Sequence, residues 1–181
     1  MTHDSDILTV GGGLNGPALA LAAAQAGLSS TVVDAQPETT LTDADFDGRA
    51  YALALGSVRM LRKLGLWDAV SEHAQPMLEI KVSDGRAGEG PLSPFFLHFD
   101  HAEIEEGPMG HMLEDRYLRR ALIEAMAANP GITVLNGETV TAQQADAHGV
   151  GVTLASGRTL TAKLLVGADG RASGTAARAG I

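Results

Sequence analysis

The sequence predicts an α/β fold, with a βαβ unit at the N-terminus and a β-meander in the last third of the chain. Three observations carry this reading. Residues 7–10 form a short apolar run closed by Gly11-Gly-Gly13. Residues 15–26 are Ala-rich, with Pro17 tolerated in the first turn and Gly27 as the stop, which reads as a helix. Residues 31–33, Thr-Val-Val, then form a second apolar run ending at Asp34. Apolar runs this short, without alternation, suit strands buried on both faces. The helix between them is apolar on every side and is expected to be buried.

The remaining elements follow in order. Residues 35–47 read as a polar, acidic loop. A helix is expected over 57–64, with Ser57 as N-cap and Gly65 just past its end. A shorter helix follows over 66–74, before Pro76. Residues 77–83 alternate, with Leu78, Ile80 and Val82 on one face, the mark of a half-buried strand. Asp84-Gly85 signals a turn, and 95–100 is a second strand, whose Phe95, Phe96 and Phe99 read as core or pocket lining. Residues 114–128 form an amphipathic helix with Leu118, Ala121, Leu122, Ala125 and Met126 on one stripe. Short strands are expected over 132–135, 139–144, 149–154, 158–162 and 164–166, the last running into Gly167-Ala-Asp169-Gly170.

Composition bounds the function. A chain of 181 residues buries roughly 70% of its unfolded surface, enough for a core without staples. It carries 13 Lys plus Arg against 22 Asp plus Glu, a net charge of -9, which argues against a nucleic-acid binder. The absence of cysteine removes disulfides, thiolate metal sites and a Cys nucleophile, and fits a cytoplasmic setting. The acidic N-terminus is the reverse of a signal peptide, and no apolar run is long enough to span a bilayer.

The chemistry gathers in few places. Gly11-x-Gly13-x-x-Gly16 follows a strand and opens a helix, with Asp34 at the end of the next strand. Gly11 permits the tight turn, Gly13 lets a pyrophosphate approach the backbone, and Gly16 lets helix and strand pack closely. The helix N-terminus offers N–H groups to phosphate. Asp34 can accept from both ribose hydroxyls of an adenosine and would repel a 2′-phosphate. In this order the pieces define a Rossmann-like dinucleotide site, without choosing between FAD and NAD. Asp169 closes a buried strand, where ligands of α/β sheets bind, although Asp-Gly also makes a simple turn. Arg49 either hydrogen-bonds a flavin or phosphate or pairs with Asp45 or Asp47 on the surface. His98 and His101 read as surface histidines, since that spacing on a strand points two rings to opposite faces; no metal site is expected. Glu103 to Glu106 read as a solvated face, His111 as structural. Ser57 and Ser173 lack a nucleophile context, so no catalytic residue is assigned.

Together these residues resemble the FAD-dependent aromatic monooxygenases of the para-hydroxybenzoate hydroxylase class, and more closely the ubiquinone-biosynthesis hydroxylases. The segments that carry the likeness are Gly11-Gly-Gly-Leu-Asn-Gly16, Asp47-Gly-Arg49-Ala-Tyr-Ala-Leu53, Leu64-Gly-Leu-Trp67, Gly110-His-Met-Leu-Glu-Asp-Arg116 and Leu165-Val-Gly167-Ala-Asp169-Gly170. The resemblance implies that Gly11, Gly13, Gly16 and Asp34 hold the ADP half of FAD. It implies that Arg49 and Arg116 lie near the flavin side, and Asp169 by the ribityl and pyrophosphate region. It implies an FAD-binding fold formed by residues 1–75 and 107–181, with 76–106 part of an interleaved substrate-binding sheet. The activity implied is hydroxylation of a polyprenyl phenol with NAD(P)H and dioxygen, with peripheral association at the inner membrane face or with a biosynthetic complex. A prenyl-chain reductase of the same fold and a non-catalytic dinucleotide-binding module are the alternatives. Members of that family run to roughly twice this length and carry a second Gly-Asp motif later in the chain, so this chain is expected to be an N-terminal portion. Asp34 stands where the wider family often has Glu.

Overall fold

The structure is a computed structural model and describes residues 2–41, 45, 47–83 and 96–181. The elements run β1 (Ser5–Val10), α1 (Asn15–Gln25), β2 (Ser30–Asp34), α2 (Glu38–Leu41), β3 (Ala50–Ala54), α3 (Leu55–Lys63) and α4 (Trp67–Val70). There follow β4 (Gln75–Met77), β5 (Glu79–Ser83), β6 (Phe96–Asp100), β7 (Gly110–Glu114) and α5 (Asp115–Ala127). The chain ends with β8 (Ile132–Asn136), β9 (Val140–Asp146), β10 (Gly149–Leu154), β11 (Thr159–Gly167) and α6 (Gly174–Arg178). It divides into two compact units, Met1–Asp45 with Arg116–Ile181, and Phe46–Asp115.

The first unit is built on a six-stranded sheet of order β8-β2-β1-β11-β10-β9. Strand β1 lies between two parallel neighbours, with Val10 opposite Val33 of β2 and Gly167 of β11. Its Leu8, Thr9 and Val10 are buried, as the unbroken apolar run requires. The meander β9-β10-β11 is antiparallel. Leu8, Val10, Val33, Val150, Val152 and Leu160 belong to one core cluster. The α/β architecture with its βαβ unit and meander is therefore as the sequence predicts.

Several boundaries differ. The two strands expected over 158–162 and 164–166 are one strand, β11. Its first half pairs with β10 and its second half with β1, so backbone pairing continues through the exposed Lys163. Helix α1 is buried on one side only: Gly16, Pro17, Ala20, Leu21 and Ala23 are inside, while Ala22 is exposed. Alanine is apolar but small, so its exposure costs little. Helix α5 begins at Asp115 because Gly110–Glu114 is drawn into a strand; its Leu118, Ala121, Leu122 and Met126 are buried as the stripe requires.

The second unit holds the three-stranded sheet β3-β7-β4 and the hairpin β5-β6. Strand β3 was not expected. It displaces the start of α3 to Leu55, so Ser57 is not an N-cap and Ala54 takes that place without a side-chain bond. The stop of α3 at Gly65 is as expected, with Gly65 N donating to Arg62 O at 3.0 Å. Trp67 and His111 meet edge-on at 4.9 Å. Burial, and the nearby Arg62 cation, hold the His111 imidazole below its ordinary pKa. The expected strand over 77–83 is broken at Leu78, and all five residues of β5 are exposed rather than half-buried. Ile80 pairs with Phe99 and Val82 with Leu97, forming an apolar hairpin face. Phe99 is 49% exposed, not core. The expected turn at Asp84-Gly85, and Phe95, lie outside the described residues. Among the described residues, no helix is long and apolar enough to cross a membrane.

Candidate functional site

The candidate site lies in the first unit, where β1, β2 and β11 end side by side. Gly11 has φ +111°, a left-handed conformation that favours glycine. A Cβ there would stand 2.3 Å from the carbonyl oxygen of Ala168, so the turns after β1 and β11 touch at this point. Gly11 N donates to Val33 O at 2.8 Å, and Ala168 N to Val10 O at 2.7 Å. A Cβ on Gly16 would meet Gly11 O at 1.9 Å. A Cβ on Gly13 meets nothing within 4 Å. The three glycines thus serve different ends: Gly11 and Gly16 are demanded by packing, whereas Gly13 borders open space.

Asp34 ends β2 and faces the glycine turn. Its Oδ2 accepts from Gly12 N, and its Oδ1 accepts from Gln36 N at 2.7 Å. A carboxylate has about four lone-pair sites, so acceptor capacity remains for a diol. The loop after β2 is further tied down by Glu138 N donating to Asp34 O at 3.0 Å.

Asp169 follows β11. Its carboxylate accepts from Ser173 Oγ, and from Thr175 N and Thr175 Oγ1 at 3.0 Å each. Ser173 Oγ in turn accepts from Ala176 N at 2.9 Å, capping α6. Burial pushes the Asp169 carboxyl up, but the bonds from Ser173 and Thr175 outweigh it and leave the pKa below the usual value. The unfolded chain then binds more protons in acid. The stabilisation from Asp169 is therefore complete above about pH 4 and is lost as pH falls through the lower folded value. Chemical denaturation of wild type and Asp169→Asn should show a stability gap at pH 7 that narrows toward pH 3. A gap independent of pH would mean the bonds do not depend on the charge.

Gly11, Gly13, Asp34, Glu138, Asp169 and Arg178 line a single cleft of about 380 Å³, within the range of about 300–1,000 Å³ usual for small-ligand sites. Helix α1 begins at this loop with no side-chain cap, so its first N–H groups and dipole remain for an anion. A larger hollow of about 690 Å³ beside α6, lined by Gln143, Leu164 and Ile181, has no part of the glycine turn. The smaller cleft is the candidate site because it brings the glycine turn before α1 together with acids at two strand ends.

The structure thus gathers Gly11, Gly13, Asp34 and Asp169, with Gly16 directly behind Gly11. Arg116 is absent from the described residues lining this cleft; its guanidinium carbon sits 4.8 Å from the Tyr117 ring. Arg49 belongs to the second unit. Its Nε donates to Asp47 Oδ2 at 2.8 Å, the surface pairing weighed from sequence, and its Nη2 lies 3.2 Å from Asp115 Oδ2. Two residues escaped the sequence reading. Arg178 brings a cation to the cleft and is held by Gln143, Nε to Oε1 at 3.1 Å. Asp115 is a carboxylate buried at the start of α5. Arg178 belongs to no quoted segment, and the Gly110–Arg116 segment gives Asp115 no role of its own, so only tertiary proximity reveals what they do. In the hairpin, His98 Nε2 stands 3.9 Å from Glu79, which Lys81 already engages at 2.6 Å, and His101 Nδ1 is 3.0 Å from Leu78 O. These are exposed surface pairings.

An uncapped helix N-terminus over a glycine turn, beside an acid that can grip a diol, defines a dinucleotide-binding α/β protein. Comparison narrows the class: residues 4–181 match the FAD binding domain family, and the chain belongs to it. The residues present fit such a cofactor: Gly13 leaves open space beside the backbone, and Asp34 keeps acceptor capacity beyond its bonds to Gly12 and Gln36. Over 98% of its length the chain is 44% identical to the ubiquinone hydroxylase UbiL of Rhodospirillum rubrum, covering 40% of that protein. It is 33% identical to the 3-demethoxyubiquinol 3-hydroxylase of Escherichia coli over 98% of the chain and 44% of the relative. Among solved structures, the flavin-dependent monooxygenase PieE, in complex with FAD and substrate, superposes with a TM-score of 0.75 at 26% identity. That match covers 99% of this chain and 33% of PieE. The chain therefore spans about two-fifths of the length of these curated relatives.

Asp34→Ala removes the latch on Gly12 and the carboxylate expected to meet the ribose. We expect FAD binding to weaken about 10- to 100-fold, and the cofactor-free protein to lose about 1 kcal/mol. Flavin fluorescence titration and chemical denaturation measure the two effects separately. Unchanged affinity would remove Asp34 from the site.

Proposed function

We propose that this chain is the cofactor-holding part of an FAD-dependent monooxygenase that hydroxylates a polyprenylated phenol ring in ubiquinone biosynthesis, with NAD(P)H and dioxygen as co-substrates. The observation that supports it most is the likeness to ubiquinone hydroxylases along nearly the whole chain. Bound in the cleft, FAD would supply the redox chemistry that couples NAD(P)H oxidation to ring hydroxylation by dioxygen, with the second oxygen leaving as water. The chain's own part is binding and orientation. The α1 N-terminus and Gly11, Gly13 and Gly16 hold the pyrophosphate close to the backbone. Asp34 accepts from the ribose hydroxyls, Asp169 positions the ribityl and pyrophosphate region, and Arg49 and Arg116 serve the flavin side. None of these side chains needs to act as a nucleophile.

Residues 1–75 and 107–181 are assigned to the cofactor domain and 76–106 to the substrate-binding sheet. The exposed apolar face of Ile80, Val82, Leu97 and Phe99 supports the second assignment, because a prenylated ring needs an apolar surface. A substrate dissolved in membrane calls for peripheral association at the inner face of the membrane or handover by a biosynthetic complex.

The test is to purify the full-length protein, record its visible spectrum, and follow NAD(P)H oxidation with a prenylated phenol while identifying the product by mass spectrometry. A flavin spectrum with oxidation coupled to a ring-hydroxylated product is expected. A reduced prenyl chain without ring oxygen would favour the reductase reading. Retained flavin with no turnover would favour a binding module.

A further inference from the structure

We propose that Asp115 is a positioning residue that fixes the Arg49 guanidinium for cofactor binding; this rests on the reading above, in which Arg49 serves the flavin side. The second unit alone supplies the geometry. Strands β3 and β7 are antiparallel, with Ala50 opposite Glu114 and Tyr51 opposite Leu113. Arg49 therefore just precedes one strand, and Asp115 just follows the other. Their backbones extend the ladder by one step, Asp115 N donating to Arg49 O at 3.0 Å.

The side chains meet at the same place. Asp115 is 2% exposed. Its Oδ1 accepts from Tyr51 Oη at 2.9 Å, and its Oδ2 lies 3.2 Å from Arg49 Nη2. A carboxylate is costly to bury unless it is paired and hydrogen-bonded, and Tyr51 and Arg49, which meet it here, come from one segment. The Arg49 side chain remains 55% exposed. Its inner edge is anchored on the buried carboxylate while the rest of the group faces outward. Asp47 shares the Nη2 nitrogen: its Oδ2 accepts from Nη2 and Nε, and its Oδ1 accepts from Arg49 N at 3.0 Å. An exposed arginine carries considerable rotamer freedom, and an anchor of this kind removes that freedom before a ligand arrives.

The test is a double-mutant cycle in the full-length protein, read by FAD affinity and by the visible absorption of bound flavin. D115N keeps the shape and the Tyr51 bond but removes the charge. It should weaken FAD binding about 10-fold when Arg49 is present and less than about 2-fold in an R49A background. The flavin absorption should move in D115N in the direction it moves in R49A. A D115N effect of equal size in both backgrounds would overturn the tether, since Asp115 would then act on the fold rather than through Arg49. An R49A variant with unchanged affinity and spectrum would instead overturn the placement of Arg49 at the flavin, and this role for Asp115 with it. Tyr51→Phe removes only the hydroxyl that aligns Oδ1, and goes through the same cycle. Its effect should be smaller and equally dependent on Arg49, so it decides the question if D115N does not fold.

Discussion

Gly13→Asp should abolish FAD binding and leave the fold intact. A Cβ at Gly13 meets no atom within 4 Å, so the new side chain fits the cofactor-free protein. In the proposed function the same open space is where the pyrophosphate approaches the α1 N-terminus. A carboxylate about 4 Å from a phosphate charge at an effective dielectric constant of about 20 costs about 4 kcal/mol, roughly a thousandfold in affinity. The flavin absorption of the purified variant and its thermal unfolding are the two measurements. Stability should change by no more than about 0.5 kcal/mol, as for surface substitutions away from packed features. Normal flavin binding would show that the glycine turn is structural, and the cofactor would have to bind elsewhere.

Gly16→Ala should do the opposite. Its Cβ would lie 1.9 Å from the carbonyl oxygen of Gly11 and 3.3 Å from the Thr9 side chain. Neither neighbour is the free end of a flexible chain, so α1 must lift away from the turn that follows β1. Overpacking of this kind costs about 3 kcal/mol, which for a protein of this size lowers Tm by roughly 6–12 °C. FAD binding should weaken as a consequence of the displaced turn, and saturating FAD should restore part of the lost stability. An unchanged Tm would mean that α1 can move off the turn after β1 without loss of stability. The two variants separate a glycine kept for its ligand from a glycine kept for its packing, a distinction that the spacing alone does not draw.

Much of the fold was legible because its signals are local. The apolar runs at 7–10 and 31–33, the glycine turn between them and the stripe of α5 report their structure within a dozen residues. The signals failed where pairing with distant segments decides the outcome. Strand β3 sits in a stretch read as the approach to a helix, and becomes a strand because β7, some sixty residues later, pairs with it. Strand β11 was read as two because Lys163 interrupts its apolar character, yet neighbours on both sides keep its backbone paired. Residues 77–83 alternate as a half-buried strand should, but β5 pairs only with β6 among the described residues, and its apolar side chains stay exposed.

The site divides in the same way. Residues and spacing marked the glycine turn and Asp34 as candidates for one site and left Asp169 open between a ligand position and a turn, because each is read from its own strand end. Their convergence on one cleft required the parallel order β2-β1-β11, which brings together strand ends more than a hundred residues apart in the chain. Arg178 entered the cleft only in the folded first unit, and Asp115 came to lie against Arg49 and Tyr51 only through the pairing of β3 with β7. Lone charges carry no periodicity and no motif. Their partners are set by which strands lie side by side, and that is a property of the folded chain.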